Sequence, residues 1–144
     1  MATWQDVRKI ALSLPEVVER SPHDWRVKDK LLAWERPLRR ADLEALGAAA
    51  PKGPILGAWV PDLDTKEARL GAQPGVYFTT PHFNGYPAVL VRLGRIGKED
   101  LRELLVEAWL HRAPKRLVVE YRAARAKAKV TAKRRTTKPR TGSR

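Results

Sequence analysis

The sequence predicts an α+β fold, a sandwich of helices and an antiparallel sheet. Two observations predict this class. Helical periodicity is concentrated near the two ends of the chain, and short β-branched and aromatic runs lie between them. Strands and helices do not alternate regularly, as they do in parallel βαβ folds. The length of 144 residues allows one domain and a tail.

The first part of the chain predicts a helix followed by a hairpin. Apolar residues recur with helical spacing over residues 4–14, with Thr3 as the N-cap and Pro15 as the stop. Residues 16–24 show no regular pattern and are predicted to be irregular. Two short strands around a tight turn at Lys28 and Asp29 are predicted next, at residues 25–27 and 30–34.

The middle of the chain predicts alternating short elements. Residues 38–50 are helix-prone and end at Pro51, and residues 65–70 are predicted to form a short helix. Strands are predicted at residues 55–60, 76–79 and 88–93. The last of these is largely apolar, which favours an interior position in the sheet.

The C-terminal part predicts two helices and a tail. Apolar residues at i, i+3, i+4, i+7 and i+8 give residues 98–112 a core-facing stripe. A further helix opens at Pro114 and keeps an apolar face until Ala128. Residues 129–144 contain too few apolar side chains to offset the entropy of ordering. We therefore predict an α+β domain over residues 1–128 and a disordered basic tail over residues 129–144.

The positive charge of the chain is concentrated at its C-terminal end. The formal net charge is +13. Residues 115–144 contain 12 Lys and Arg and one acid, Glu120, which leaves the preceding residues nearly neutral. Any prediction about anionic partners therefore concerns the C-terminal helix and tail.

The absence of cysteine excludes several function classes. Disulfides, thiolate catalysis, zinc fingers and iron–sulfur clusters all need cysteine, and the chain has none. No segment has the length and apolar character of a membrane span, and the N-terminus has no secretory signal pattern. We expect a cytoplasmic protein with no membrane partner.

Three blocks of sequence carry a family resemblance. They are WQDVRKIALSLP at residues 4–15, GVYFTTPHFNGYPAVLVRL at residues 75–93 and EDLRELLVEAWLHRAPKRL at residues 99–117. Together they resemble the bacterial MmcQ/YjbR family over roughly residues 3–122. The resemblance implies a CyaY-like (frataxin-like) two-layer sandwich, in which N- and C-terminal helices pack on one side of a twisted antiparallel sheet. It also implies DNA binding, as members are commonly described, and it brings no agreed catalytic residues.

No catalytic or metal-binding constellation is evident in the sequence. His23 and His111 each lack a second histidine or carboxylate at a spacing that would build a ligand set, so surface or helix-end histidines are predicted. The Gly-x-Ser-x-Gly, phosphate-loop and dinucleotide-binding motifs are absent. The sequence therefore predicts a protein that is not an enzyme and has no cofactor or metal.

The loop at residues 79–87 holds the densest set of polar and aromatic groups. Thr79, Thr80, His82 and Tyr86 are candidates for lining a pocket that holds an anion or a base. The alternative is purely structural, because Asn-Gly supplies the positive φ of a tight turn and prolines end ladder pairing. Turn chemistry explains most of these residue types, and we favour it over the pocket.

The basic C-terminal residues carry the main functional prediction. Such an arm neutralises phosphates and releases counterions, which gives affinity for nucleic acid without sequence preference. We predict double-stranded DNA as the partner and a monomeric protein. The predicted nucleic-acid-binding residues are Lys115, Arg116, Arg122, Arg125, Lys127, Lys129, Lys133, Arg134 and Arg135.

One alternative from a different class stays open. The domain is then a small-molecule or protein-interaction module that uses the open face of the sheet, and the tail is incidental.

Of the five tryptophans, Trp4 and Trp109 fall on apolar helix stripes and are predicted to be core. Trp25, Trp34 and Trp59 lie in predicted strands, and an exposed one beside basic residues would favour base stacking.

Overall fold

The computed structural model of the chain describes residues 2–142, with side chains through Thr131, and it confirms the α+β class. Within these residues it has five α-helices and one sheet of six antiparallel strands. The first helix, α1 (Trp4–Ser13), begins at the predicted cap, where the Thr3 hydroxyl accepts from the Asp6 amide at 3.3 Å. The Asp6 carboxylate accepts from the Thr3 amide at 2.9 Å, which completes a capping box.

The six strands follow one another almost in chain order across the sheet. They are β1 (Val17–Ser21), β2 (Asp24–Val27), β3 (Lys30–Glu35), β4 (Ile55–Trp59), β5 (Tyr77–Phe78) and β6 (Ala88–Arg92), in the spatial order β1-β2-β3-β4-β6-β5. The predicted turn between β2 and β3 is confirmed, since Lys28 and Asp29 both adopt positive φ, at 49° and 67°. Strand β6 lies in the interior of the sheet, as its apolar sequence predicted.

The prediction that residues 16–24 are irregular is wrong. This stretch contains β1, which pairs with β2 from Val17↔Val27 to Ser21↔Asp24. A shift of register between Glu19 and Ser21 interrupts the alternation of apolar and polar side chains. Because the alternation is broken, the strand carries no two-residue period for sequence analysis to detect.

The remaining helices are α2 (Arg40–Leu46), α3 (Leu63–Ala72), α4 (Lys98–Arg112) and α5 (Lys115–Gly142). Helix α4 has the predicted bounds, and its stripe of Leu101, Leu104, Leu105, Ala108 and Trp109 is buried. Helix α2 is shorter than predicted because Gly47, at φ 56°, ends it and a 3-10 turn follows.

One face of the sheet packs against α1 and α4, and we call it the helical face. A row of cross-strand neighbours, Trp25, Ala33, Ala58 and Val89, lies on it, and all four are fully buried. The Trp25 ring stacks on Trp4 of α1, with centroids 6.2 Å apart. This face holds the main core and confirms a helical layer on one side of the sheet.

The opposite face carries a second row of neighbours, Trp34, Gly57, Leu90 and Phe78, and we call it the aromatic face. Leu90 and Phe78 form a buried cluster with Ile55, and Leu38, Leu46 and Phe83 pack against it. The Trp34 indole lies directly over Gly57, where an added Cβ would come within 2.6 Å of the ring. Part of this face is therefore covered by α2 and by the 3-10 turn Pro81–Phe83.

Two ion pairs join helices to neighbouring segments: Arg36, just after β3, pairs with Asp42 of α2, and Arg8 of α1 pairs with Glu19 of β1. The Arg36 Nη2 atom donates to the Asp42 carboxylate at 3.1 Å, and both side chains are buried. Arg8 of α1 makes two bonds to the Glu19 carboxylate, at 2.7 and 3.0 Å. These hydrogen bonds from Arg8 hold the pKa of Glu19 at about 2, well below its usual value of 4.5.

The chain divides into two compact units after Arg112, before the boundary predicted at residue 128. The second unit is helical from Lys115 to Gly142, so helix continues past Ala128, where order was expected to end. The run AARAKAK at residues 123–129 consists of strong helix formers and explains helix across Ala128, whereas the threonines and Pro139 beyond it are poor ones. A helix that is not stabilised by packing is marginal in water, and disorder of residues 129–144 in solution stays a prediction. Residues 143–144 lie outside the described part.

Candidate functional site

Helix α5 is the most basic element of the described chain. Six of the predicted nucleic-acid-binding residues have described side chains, and every one is exposed: Lys115, Arg116, Arg122, Arg125, Lys127 and Lys129. Glu120 is the one acidic residue between Lys115 and Thr131. The other three predicted residues, Lys133, Arg134 and Arg135, lie on the helical backbone, and their side chains are outside the described ones.

Four of these cations share one side of α5, and we call them the α5 stripe: Lys115, Arg122, Arg125 and Lys129. They occupy positions i, i+7, i+10 and i+14, which fall within about 80° of arc and extend over about 21 Å of helix axis. The Arg125 guanidinium carbon lies 5.6 Å from the Tyr121 ring centroid, so this side chain is supported by a cation–π contact. Among the described residues, none of the four forms an ion pair.

The charge of the α5 stripe is therefore available to an external anion. Exposed cations that are not neutralised within the protein attract polyanions over about a Debye length, and they do so more strongly at low salt. A helix fits the major groove of duplex DNA, where a row of cations along one side of it lies beside a phosphate backbone. The arrangement suits phosphate contact, and the helix offers no asparagine or glutamine for reading adenine between Lys115 and Thr131.

The loop at residues 79–87 is ordered by a residue that sequence analysis missed. Lys66 of α3 is buried, and its Nζ atom donates to the backbone carbonyls of Phe83 at 2.7 Å and Tyr86 at 2.9 Å. Burial lowers the pKa of this amine. Gly85 adopts φ 82° after Asn84, which matches the tight turn predicted from the Asn-Gly pair. A lone lysine in a helix gave no signal of this contact in the sequence.

Among the described residues, no hydrogen bond between side chains and no ring contact joins the four candidate pocket residues of this loop. Thr80 is buried, and its hydroxyl has no hydrogen-bond partner among the described residues. His82 and Tyr86 are exposed, and His82 packs edge-on against Phe83 at 4.8 Å. The Thr79 hydroxyl contacts only the Thr80 carbonyl, at 3.5 Å, within the described part of the chain. The turn interpretation accounts for this geometry, and ligand binding by the loop stays a prediction.

The strand tryptophans take part in packing. Trp25 is fully buried, whereas Trp34 and Trp59 are partly exposed and lie 6.3 Å apart. The Arg112 guanidinium carbon sits 4.8 Å from the Trp59 ring centroid, and Trp34 lies flat over Gly57. Each partly exposed ring thus already has a partner on one side, which makes this cluster a poor platform for stacked bases.

The histidines have structural environments. His23 stacks on Trp4 with centroids 4.4 Å apart, and its Nδ1 atom lies 2.6 Å from the Glu35 carboxylate. His111 is exposed in the last turn of α4. No group of three or more His, Asp or Glu side chains able to hold a metal ion occurs in the part of the chain that the structure describes.

Among the described residues, none of the helices combines the length and apolar character that a membrane span requires.

Comparisons with known proteins match the first unit, and the longest matches extend into the second. The YjbR family model matches residues 12–111. The uncharacterized proteins Mb2600 of Mycobacterium bovis and Rv2570 of Mycobacterium tuberculosis are each 58% identical to this chain over 126 residues. Each match covers 85% of this chain and 98% of the relative. No solved structure matches the chain.

Proposed function

Because the chain belongs to the YjbR family, and because members of the family it resembles are commonly described as DNA-binding, we propose that it is a non-catalytic DNA-binding protein of the cytoplasm. It contacts the phosphate backbone of duplex DNA through α5 and the basic residues that follow. The observation that carries this proposal is the α5 stripe, four exposed cations on one side of a helix with no carboxylate partner among the described residues.

The chemistry of the stripe determines the kind of binding. Each Lys or Arg that neutralises a phosphate releases condensed counterions, so affinity comes largely from the entropy of ion release. Phosphate contacts position a protein on DNA and carry no base information. We therefore expect binding that depends steeply on salt and weakly on sequence.

The test replaces the four residues of the α5 stripe by glutamine, which removes charge and keeps helix propensity. A matched control replaces four exposed cations of the first unit by glutamine: Lys9, Arg20, Lys30 and Arg102. Both variants lose the same net charge. Binding to a short fluorescein-labelled duplex is followed by fluorescence anisotropy at low salt, and circular dichroism checks that each variant folds.

The stripe variant is expected to bind about tenfold or more weakly than the unaltered chain, and the control within about twofold of it. Equal weakening in both variants would mean that only net charge matters, which contradicts a site on α5. Unchanged binding in the stripe variant would place any DNA contact elsewhere.

A further inference from the structure

A groove lined by cations lies in the first unit, at the end of β6. It is a groove of about 750 Å³ lined by residues 48–54, by Pro74 and Gly75, and by Arg92, Gly94 and Arg95. Its volume falls in the range of small-molecule sites, about 300–1,000 Å³. The groove is concave and is formed mainly by loops and 3-10 turns beside the end of β6, so it is a different kind of surface from the α5 stripe.

The lining of this groove is positively charged. Lys52, Arg92 and Arg95 contribute three cations, and no acidic residue is among the lining residues. Lys52 and Arg95 are exposed, and none of the three forms an ion pair with another described residue. A Cβ added to Gly75 would lie 4.0 Å from Arg95 Nη1, which puts this guanidinium beside the glycine wall of the groove.

Arg92 is held in place at the base of the groove. Its guanidinium carbon lies 4.6 Å from the Phe78 ring centroid. Its Nη1 and Nη2 atoms point at the carbonyls of Pro74 and Ala49, each at 3.4 Å, which is long for a hydrogen bond to a charged donor. The side chain is half-buried and has no carboxylate partner among the described residues. Burial and the neighbouring Arg95 lower the pKa of Arg92, so its surroundings disfavour the charge it carries.

An arginine in such a setting is usually paired, because burying a charge without a partner is costly. A phosphate matches the planar fork of a guanidinium through two parallel hydrogen bonds. Gly53 and Gly94 have no heavy atom near the position of an added Cβ, so a ligand could approach the backbone closely on both sides.

We propose that this groove binds a small phosphate-bearing molecule. The guanidinium of Arg92 donates two hydrogen bonds to the phosphate, and the exposed side chains of Lys52 and Arg95 provide further positive charge beside it. The site is independent of the proposed DNA contact, because it uses no residue of α5. A duplex is too wide to enter a groove of this size, which is why the proposal commits to a small molecule.

The experiment titrates the full ¹⁵N-labelled chain with inorganic pyrophosphate and follows amide and arginine side-chain resonances. The test variants are Arg92→Gln and the double variant Lys52→Gln with Arg95→Gln. The double variant Lys9→Gln with Arg102→Gln is the matched control, since both residues are exposed and absent from the groove lining. The α5 stripe variant is titrated in parallel, and a short duplex replaces pyrophosphate in a second series.

Saturable shifts are expected at residues 74–75 and 92–95, with affinity reduced about tenfold or more in the groove variants. Affinity in the control and in the α5 stripe variant should stay within about twofold of the original. Replacing Arg92 also removes its contact with Phe78, so the double variant at the exposed residues Lys52 and Arg95 tests the groove without disturbing that packing.

The proposal would be overturned by an absence of saturable shifts, by an equal loss of affinity in the control, or by groove shifts caused by the duplex and not by pyrophosphate. The loss of pyrophosphate binding in the α5 stripe variant alone would likewise assign the anion to α5. Failure of the DNA proposal leaves these readouts unchanged, so the two are tested separately.

Discussion

The contact between Trp34 and Gly57 makes the aromatic face sensitive to a single methyl group. An added Cβ at Gly57 would lie 2.6 Å from the Cε2 and Cζ2 atoms of Trp34 and 3.0 Å from Cδ2. Ordinary contacts of this kind lie near 3.4–4 Å. The Gly57→Ala substitution therefore forces the indole or the strand to move by most of an ångström.

The cost follows from how firmly the indole is held. Trp34 contacts Trp59 and Phe83, with centroids 6.3 and 6.1 Å away, so the ring cannot move without disturbing both neighbours. Inserting a methyl group into a packed core costs about 1–3 kcal/mol. Alanine recovers about 0.5 kcal/mol of that through lower chain entropy in the unfolded state. We expect a net loss of about 2 kcal/mol, or about 4–8 °C in Tm for a chain of this size.

The assay is urea unfolding followed by far-ultraviolet circular dichroism, with Gly71→Ala as the control. Gly71 lies in α3 with no heavy atom within 4 Å of an added Cβ, so alanine there should stabilise by about 0.5–1 kcal/mol. A double-mutant cycle with Trp34→Ala isolates the contact, because the cost of Gly57→Ala should nearly vanish once the indole is gone. A neutral Gly57→Ala, or an equal cost with and without Trp34, would refute this description of the aromatic face.

Two further predictions concern ion pairs. Asp42→Ala should destabilise the fold by about 3–5 kcal/mol because it leaves Arg36 buried without its carboxylate. The control Glu44→Ala breaks an exposed ion pair with Arg40 and should cost less than about 0.5 kcal/mol. Equal costs of the two substitutions in urea unfolding would contradict this prediction. Glu19 has a lowered pKa because Arg8 hydrogen-bonds to it, so its contribution to stability is complete above about pH 4.5 and is lost as the pH falls toward about 2. Thermal melts of Glu19→Gln should therefore depend less on pH in that window than melts of the unaltered chain, and parallel curves would exclude the pair as a source of acid sensitivity.

Much of the fold could be predicted because its signals are local. Helix α4 has an uninterrupted apolar stripe and charges that suit its dipole, and its bounds were predicted correctly. The β2–β3 hairpin was found from two short runs around Lys28 and Asp29. Strand β1 escaped prediction because the register shift after Glu19 removes its two-residue period.

The candidate sites were predicted less completely because they depend on contacts between distant residues. Exposed cations on α5 could be recognised from composition alone, and their common side follows from helical spacing. The groove at Arg92 joins residues from three separate stretches of chain, and no motif marks it. The Lys66 amine donates hydrogen bonds to backbone carbonyls 17 and 20 residues away, and no local sequence pattern predicts such a contact.

The most direct test of phosphate binding by α5 is the slope of log K against log salt for duplex DNA. If each residue of the α5 stripe neutralises one phosphate, replacing all four by glutamine should reduce the magnitude of that slope by about 3.6. When the salt rises from about 50 to about 200 mM, binding of the unaltered chain should therefore weaken about a hundredfold more than binding of the stripe variant. The account predicts this reduction in the stripe variant and a slope changed by less than about one in the four-residue control. Equal slopes in the stripe variant and the unaltered chain would contradict it.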